Sequence, residues 1–239
     1  MRAVAFITGA AGGIGRATVA ALRAQGMLIA AADRQLAELP CADPDLLTVP
    51  LDVTDETAVN AAVARVLQRF GRLDHAIHLA GRTGAGPLRA ESPDEWRALL
   101  EVNLTSAFLL ARAVADALAA TRGSLTLMAS TNGRNGGSAL SGPAYAVSKA
   151  GVINLMRYLA KEWAPQRVRV NAVAPGPIDT PMVSGRFDDA TLGELRRRVP
   201  LGRLGTASEV AAAIAYLVSP GAGFVTGAVL NVSGGLVLD

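Results

Sequence analysis

Short, continuous apolar runs alternate along this chain with longer segments in which apolar residues return every three or four positions. The first kind reads as a strand buried on both faces, the second as a helix with one apolar face. Val4 to Thr8 is the first run, and Ile14, Val19, Ala20 and Leu22 then follow at helical spacing up to Gly26, a C-cap glycine. Met27 to Ala32 forms a second strand ending at Asp33. A weakly helical stretch follows, then a third strand, Leu46 to Val49, with Asp52 after it. Ala58 to Phe70 is a helix with Thr54 or Asp55 as N-cap and Gly71 past its end. Ala76 to Ala80 gives a fourth strand, closed by Gly81.

Pro93 starts a long helix that carries Asn103 and runs to about Ala120. Ser124 to Met128 is a fifth strand, Pro143 to Trp163 a helix, and Val168 to Val173 a sixth strand ending at Pro175-Gly176. Thr180 to Pro200 reads as loop and small helix, Ser208 to Leu217 as helix, and Ala228 to Val232 as the last strand. Apolar strands alternating with helices predict an α/β fold: a doubly wound parallel sheet of about seven strands with helices on both faces. No repeat, linker or low-complexity segment divides the chain, so one domain is expected over residues 1–239.

Composition narrows the class. Apolar residues are 51% and aromatics 4%, which suits small side chains packed closely between helices and sheet. The net charge of +3 is dispersed, and Arg196-Arg197-Arg198 reads as a solvated helix face, so no nucleic-acid partner is expected. The single Cys41 excludes an intrachain disulfide framework and fits a reducing compartment. Met1 to Ile7 runs directly into the first strand, leaving no room for a signal peptide. Val210 to Leu238 carries no charge, but Ser219-Pro220-Gly221 splits it into pieces too short for a bilayer. The expectation is a cytoplasmic protein without membrane partner or metal site.

Two places carry chemistry. Thr8-Gly9-Ala10-Ala11-Gly12-Gly13-Ile14-Gly15 joins the first strand to a helix. Glycines there allow a tight turn and close approach to a pyrophosphate, which the helix N-terminus stabilises. Asp33 closes the second strand, where an acid accepts hydrogen bonds from an adenosine ribose and repels a 2′-phosphate, favouring NAD. Arg34, next to it, argues the other way because it could pair with that phosphate, and the ordinary reading of Asp33 is a helix N-cap.

The second place is Tyr145-Ala-Val-Ser-Lys149, whose Tyr and Lys share one helix face. Moving a phenol from a pKa of about 10 to about 7 takes roughly 4 kcal/mol, which one nearby ammonium can supply. Only two of the 23 basic residues are Lys, Lys149 and Lys161, so a Lys at this spot points to a need for a compact charge. The plain alternative is a half-buried Tyr beside a snorkelling Lys.

With the glycine turn, Asn103, Ser130, Tyr145 and Lys149 in this order, the chain resembles the short-chain dehydrogenase/reductase family. The match runs from Thr8 through Asn171-Ala-Val-Ala-Pro-Gly176 and Thr180 to Asn231-Val-Ser-Gly-Gly235. The resemblance implies a Rossmann-type fold, nicotinamide-dependent alcohol–ketone chemistry and a homotetramer, or a homodimer. It makes Tyr145 the general acid/base, with Lys149 lowering its pKa and holding the nicotinamide ribose. Ser130 would bond the substrate oxygen, and Asn103 would support a water relay through Lys149. For the cofactor it implies Gly9, Gly13, Ile14 and Gly15 at the turn, Asp33 and Arg34 near the ribose, and Asp52 and Val53 flanking the adenine. Ala80 and Gly81 belong to the same set, and Pro175, Gly176, Ile178 and Thr180 would lie at the carboxamide.

The chain departs from the family twice. His78-Leu79-Ala80-Gly81 stands where the family usually has Asn-Asn-Ala-Gly. His78 reads as a satisfied core histidine, and the change puts strand bracing in doubt more than activity. Ser130 also lies 15 residues before Tyr145, longer than the usual spacing, with Ser138 and Ser141 as rivals in the loop between. Ser130 is preferred because it follows the strand directly.

Arg82 to Arg89, Asn132 to Gly142 and a lid over residues 182–200 should wall the substrate site. The lid holds Arg186 and Arg196 to Arg198, compatible with an anionic or acyl-carrier substrate but read as a solvated face. The leading expectation is an NAD(H)-dependent oxidoreductase for a secondary alcohol or ketone. An NADPH-dependent 3-oxoacyl reductase and a catalytically silent dinucleotide-binding regulator are the alternatives.

Overall fold

The computed structural model of the protein describes residues 1–36 and 43–238; Cys41 and part of the helical stretch expected after Asp33 lie outside these described residues. The strands are β1 (Val4–Thr8), β2 (Leu28–Asp33), β3 (Leu46–Pro50), β4 (His75–His78), β5 (Ser124–Met128), β6 (Arg169–Pro175), β7 (Ile178–Asp179), β8 (Gly205–Thr206) and β9 (Val229–Val232). Seven of them form one parallel sheet in the order β3-β2-β1-β4-β5-β6-β9. β7 pairs with β8 in a separate two-stranded ladder that the sequence pattern did not reveal.

Helices cover both faces: α1 (Gly13–Ala24), α2 (Glu56–Phe70), α3 (Pro93–Leu100), α4 (Ser106–Thr121), α5 (Asn132–Asn135), α6 (Pro143–Glu162), α7 (Pro181–Ser184), α8 (Asp189–Arg198) and α9 (Ala207–Val218). Side-chain alternation along each strand divides the core. Val4 and Phe6 of β1 face one cluster with Val66 of α2, Leu110 of α4 and Met156 of α6. Ala5 and Ile7 face the other with Leu22 of α1 and Ile214 of α9. This is the doubly wound Rossmann-type arrangement expected from the alternating pattern.

α9 packs on α1, the helix that follows the glycine turn. Its start is secured by a capping box, Thr206 accepting from the Glu209 N–H while Glu209 accepts from the Thr206 N–H. Thr206→Ala is expected to cost about 1 kcal/mol, seen as a lower urea midpoint at unchanged slope.

The long helix from Pro93 is not continuous. Glu101–Thr105 forms a π turn between α3 and α4, and Asn103 sits in it, fully buried. Two contacts hold it: Ser106 donates its hydroxyl proton back to the Val102 carbonyl, and His78 of β4 bonds the Ser106 oxygen. Pro93–Thr121 has the length and mean hydropathy, 1.5, of a membrane span, yet Leu99, Leu110, Val114 and Leu118 are buried within the protein itself.

Candidate active site

β1 and β4 are neighbours whose onward connections run to opposite sides of the sheet, so a crevice forms beyond their carboxyl ends. A cleft of about 500 Å³ opens there. Gly9, Gly13, Ile14 and Gly15 line it from one side, and Gly81, Ser130, Tyr145 and Lys149 from the other. Pro175, Gly176, Ile178 and Thr180 close it after β6.

Glycine is required at the turn itself. Gly9 has φ +71°, and a Cβ on it would lie 2.6 Å from the Ala80 nitrogen. A Cβ on Gly15 would lie 2.1 Å from the Gly9 carbonyl oxygen. α1 begins without a side-chain cap and without an acidic residue in its first turn, leaving its N–H groups and dipole facing the cleft. These features fit the pyrophosphate of a dinucleotide.

Asp33 accepts N–H bonds from Ala11 and Gln35, each at 3.1 Å, and both of those residues line the cleft. Arg34 is exposed, with its guanidinium 4.0 Å from Asp52. Asp33, Arg34, Asp52, Val53 and Ala80 are not among the residues of the cleft wall. The Asp52 carboxylate accepts from the Thr54 N–H and hydroxyl, which hold its pKa low, with a smaller effect from Arg34. Val53 packs on the core, and Ala80 supports Gly9 from behind. β4 accordingly ends at His78 rather than Ala80. Arg82, Met182 and Val183 line the cleft from the segments expected to wall the substrate site, and Arg16, Gln35 and Met128 line it without any motif having singled them out.

The helix α6 holds Tyr145 and Lys149 one turn apart. Its N-cap is Gly142, which has no side chain to offer. Glu91 fills the role from 53 residues upstream, its Oε2 accepting the Ala144 N–H at 3.1 Å beside Tyr145. The other carboxylate oxygen is buried without a hydrogen-bond partner.

Lys149 is 3% exposed; Nζ donates to the Met128 carbonyl at 2.8 Å and lies 5.8 Å from the Tyr145 ring centroid. Burial lowers its pKa to about 8, so it is still mostly an ammonium at neutral pH. For Tyr145, burial pushes the phenol up, and the hydrogen bond with Ser130 pulls it down by less. In the free protein burial outweighs the lowering influence of Ser130 on the phenol, while the Lys149 ammonium is directed to a backbone carbonyl.

Ser130 Oγ also accepts the Asn132 N–H at 3.1 Å. The rival Ser141 instead bonds Asn132 Nδ2 at 2.7 Å and the Ser138 carbonyl at 3.1 Å, and Ser138 accepts from the Leu140 N–H at 3.3 Å. The extra length before Tyr145 contains α5, which follows Ser130 closely where loop was expected.

Asn103 braces the neighbourhood. Its side chain accepts from the Arg82 N–H and donates to the Arg82 carbonyl, both at 2.9 Å, and donates to Ser148 Oγ at 3.2 Å. A Cβ on Gly81 would lie 2.8 Å from Asn103 Oδ1 and 3.4 Å from Lys149 Nζ, so both polar heads flank the one glycine.

His78 uses both ring nitrogens. Nδ1 is 2.8 Å from Thr8 Oγ1 and Nε2 is 2.9 Å from Ser106 Oγ. The Ser106 proton goes to Val102, so Ser106 accepts from Nε2–H, and Nδ1 accepts from the Thr8 hydroxyl. Burial, then the Lys149 charge, lowers its pKa to about 3, keeping the ring neutral. The bracing placed in doubt by the missing Asn is supplied by this histidine, which ties β1 to the π turn.

A family model described as Enoyl-(Acyl carrier protein) reductase matches residues 9–237. The 3-oxoacyl-[acyl-carrier-protein] reductase of Thermotoga maritima is 37% identical over 243 residues, covering 98% of each chain. The cis-4-hydroxycyclohexanecarboxylate dehydrogenase of Sinomonas cyclohexanicum is 40% identical over 240 residues, covering 97% of this chain and 95% of that one. Among solved structures, ligand-free aldohexose dehydrogenase from Thermoplasma acidophilum superposes with a TM-score of 0.89 at 29% identity, over 98% of this chain and 94% of the other.

Proposed function

The chain belongs to the short-chain dehydrogenase/reductase family and is a nicotinamide-dependent oxidoreductase, and we propose that it interconverts a secondary alcohol and a ketone with NAD(H). The observation that carries this reading is that Ser130, Tyr145 and Lys149 line the same cleft as the glycine turn. The nicotinamide supplies or takes the hydride when bound. Every other part of the chemistry falls to side chains.

In ketone reduction the Tyr145 O–H donates its proton to the carbonyl oxygen as that oxygen gains charge, and Ser130 donates a second hydrogen bond to it. In alcohol oxidation the same phenol accepts the proton. Lys149 offsets the phenolate charge and holds the nicotinamide ribose; Asn103, beside Gly81, supports a water that returns protons through Lys149. Gly13, Ile14 and Gly15 hold the pyrophosphate, while Pro175, Gly176, Ile178 and Thr180 hold the carboxamide side. Residues 182–200 form the lid of a single domain over residues 1–239. We further propose a cytoplasmic homotetramer without nucleic-acid or membrane partners; the exposed Phe108, Val147 and Tyr158 of α4 and α6 support association.

NAD(H) is favoured because the Asp33 carboxylate lies against Ala11 and Gln35 at the rim, where a 2′-phosphate would meet like charge. Asp33→Ala is expected to weaken NADH binding about tenfold and shift preference toward NADPH, measured by fluorescence titration. Tighter binding of NADPH by the unaltered protein would sink the assignment. A second reading, an NADPH-dependent 3-oxoacyl reductase, is favoured by the activity in the name of the Thermotoga relative and by Arg16 in the cleft. Comparing a 3-oxoacyl thioester with simple ketones, each with both cofactors, separates the two.

A further inference from the structure

A second cavity of about 140 Å³ opens beside the reacting groups, and Ser130 and Tyr145 belong to its wall as well as to the cleft. The permanent charges among the described residues of its wall are Arg186 and Arg198, with no Asp or Glu among those residues. Arg186 follows α7 and Arg198 ends α8, so both come from the segment that covers the site.

Elsewhere in the chain arginines are commonly paired: Arg82 with Glu95, Arg72 with Asp74, Arg203 with Glu209. The two at the cavity are not. Arg186 gives one N–H to the Gly84 carbonyl and stacks on Phe187, its guanidinium carbon 5.3 Å from the ring centroid, leaving further donors unused. Among the described residues the exposed Arg198 side chain has no hydrogen bond or ion pair. The opposite wall is polar too, with Asn132 and Ser141 bonded to each other at 2.7 Å.

The cavity has room for about ten water-sized groups, below the usual range for a drug-sized ligand. A neutral substrate would fill it and leave the two exposed guanidinium groups to water. A carboxylate offers a planar pair of acceptors that matches the guanidinium fork. We infer that the substrate is a small ketone or secondary alcohol bearing a carboxylate, with the anion held by Arg186 and Arg198 and the reacting oxygen at Ser130 and Tyr145. This rests on the alcohol–ketone reading of the site and adds to it the charge and size of the substrate.

The test compares reduction of 4-oxopentanoate with that of its methyl ester by the full chain. Three proteins are needed: the unaltered enzyme, the Arg186→Gln/Arg198→Gln double variant, and Arg196→Gln, which is exposed on the same helix as Arg198 and lies outside the cavity wall. The unaltered enzyme should prefer the acid by about tenfold in kcat/KM, mainly through KM. The double variant should bring the two substrates to near parity, and Arg196→Gln should keep the preference. Parity in the unaltered enzyme, or an undiminished preference in the double variant, overturns the inference.

Binding of cyclohexanecarboxylate against cyclohexanecarboxamide, by calorimetry, reads the anion site without turnover. Equal binding of the two overturns the carboxylate inference whatever the kinetics show. Selective carboxylate binding that the double variant loses, in a protein reducing neither substrate nor cyclohexanone, would keep the anion site and reject the alcohol–ketone reading instead.

Discussion

Tyr145→Phe should lower kcat by about 10³- to 10⁴-fold while leaving the fold and NADH affinity near those of the unaltered protein. The change removes one oxygen and keeps the ring, which is only partly buried between the cleft and the second cavity. A loss of that size is about 4–5 kcal/mol of barrier, the share expected of a positioned proton donor rather than of a binding contact. Steady-state kinetics in both directions check it. Residual activity above a tenth would move the proton donor elsewhere. The pH dependence carries its own sign: burial pushes the Tyr145 phenol up, so it is protonated through neutral pH in the free enzyme. Reduction, which uses the protonated phenol, should therefore stay level through neutral pH and fall only on the alkaline side. Oxidation, which uses the phenolate, should rise with pH.

The fold was legible because its signals are local. β1 and β2 are nearly uninterrupted apolar runs, α2 ends at Gly71, and α3 and α6 start at prolines. Gly9 was readable for the same reason, as the first glycine of a turn that directly follows an apolar strand. What was not legible depended on contacts distant in sequence. The π turn at Asn103 lies within an apolar period that continues across it, and its causes are a serine hydroxyl and a histidine from β4. The Glu91 cap on α6 spans 53 residues, so no window around Tyr145 could contain it. The 131–142 stretch reads as loop because Asn and Gly dominate it, yet four of its residues form α5.

The site shows the same division. Spacing alone put Tyr145 and Lys149 on one helix face, and the structure places both in the cleft. Spacing could not say which influence on the phenol wins, because desolvation is set by everything packed around it. Asp52 and Val53 were transferred by resemblance alone, and the contacts of their side chains, to Thr54 and to the core, are ones that an alignment of motifs does not register.

Lys149→Met should lower activity by about 10²- to 10³-fold and, at the same time, change how stability depends on pH. The side chain is nine-tenths or more buried, and burial lowers its pKa from 10.5 to about 8. Between those values the unfolded chain binds the proton more tightly than the folded one, so stability rises with pH across the window. Below about pH 8 the folded protein carries the full cost of a buried ammonium, of order 3 kcal/mol, softened by its bond to the Met128 carbonyl. Methionine removes that cost but leaves the carbonyl without its donor, a loss of about 1–3 kcal/mol, so the variant should be near the unaltered protein in stability at neutral pH. As pH rises toward 10.5 the unaltered protein sheds its proton and gains, while the variant has nothing to shed. Urea titrations at pH 7.5 and at pH 10.5 should therefore show the difference, variant minus unaltered, falling by about 3 kcal/mol. Curves that remain parallel would mean that Lys149 is solvated enough to keep its ordinary pKa. The ammonium would then be a poor candidate for the charge that steadies a phenolate at Tyr145.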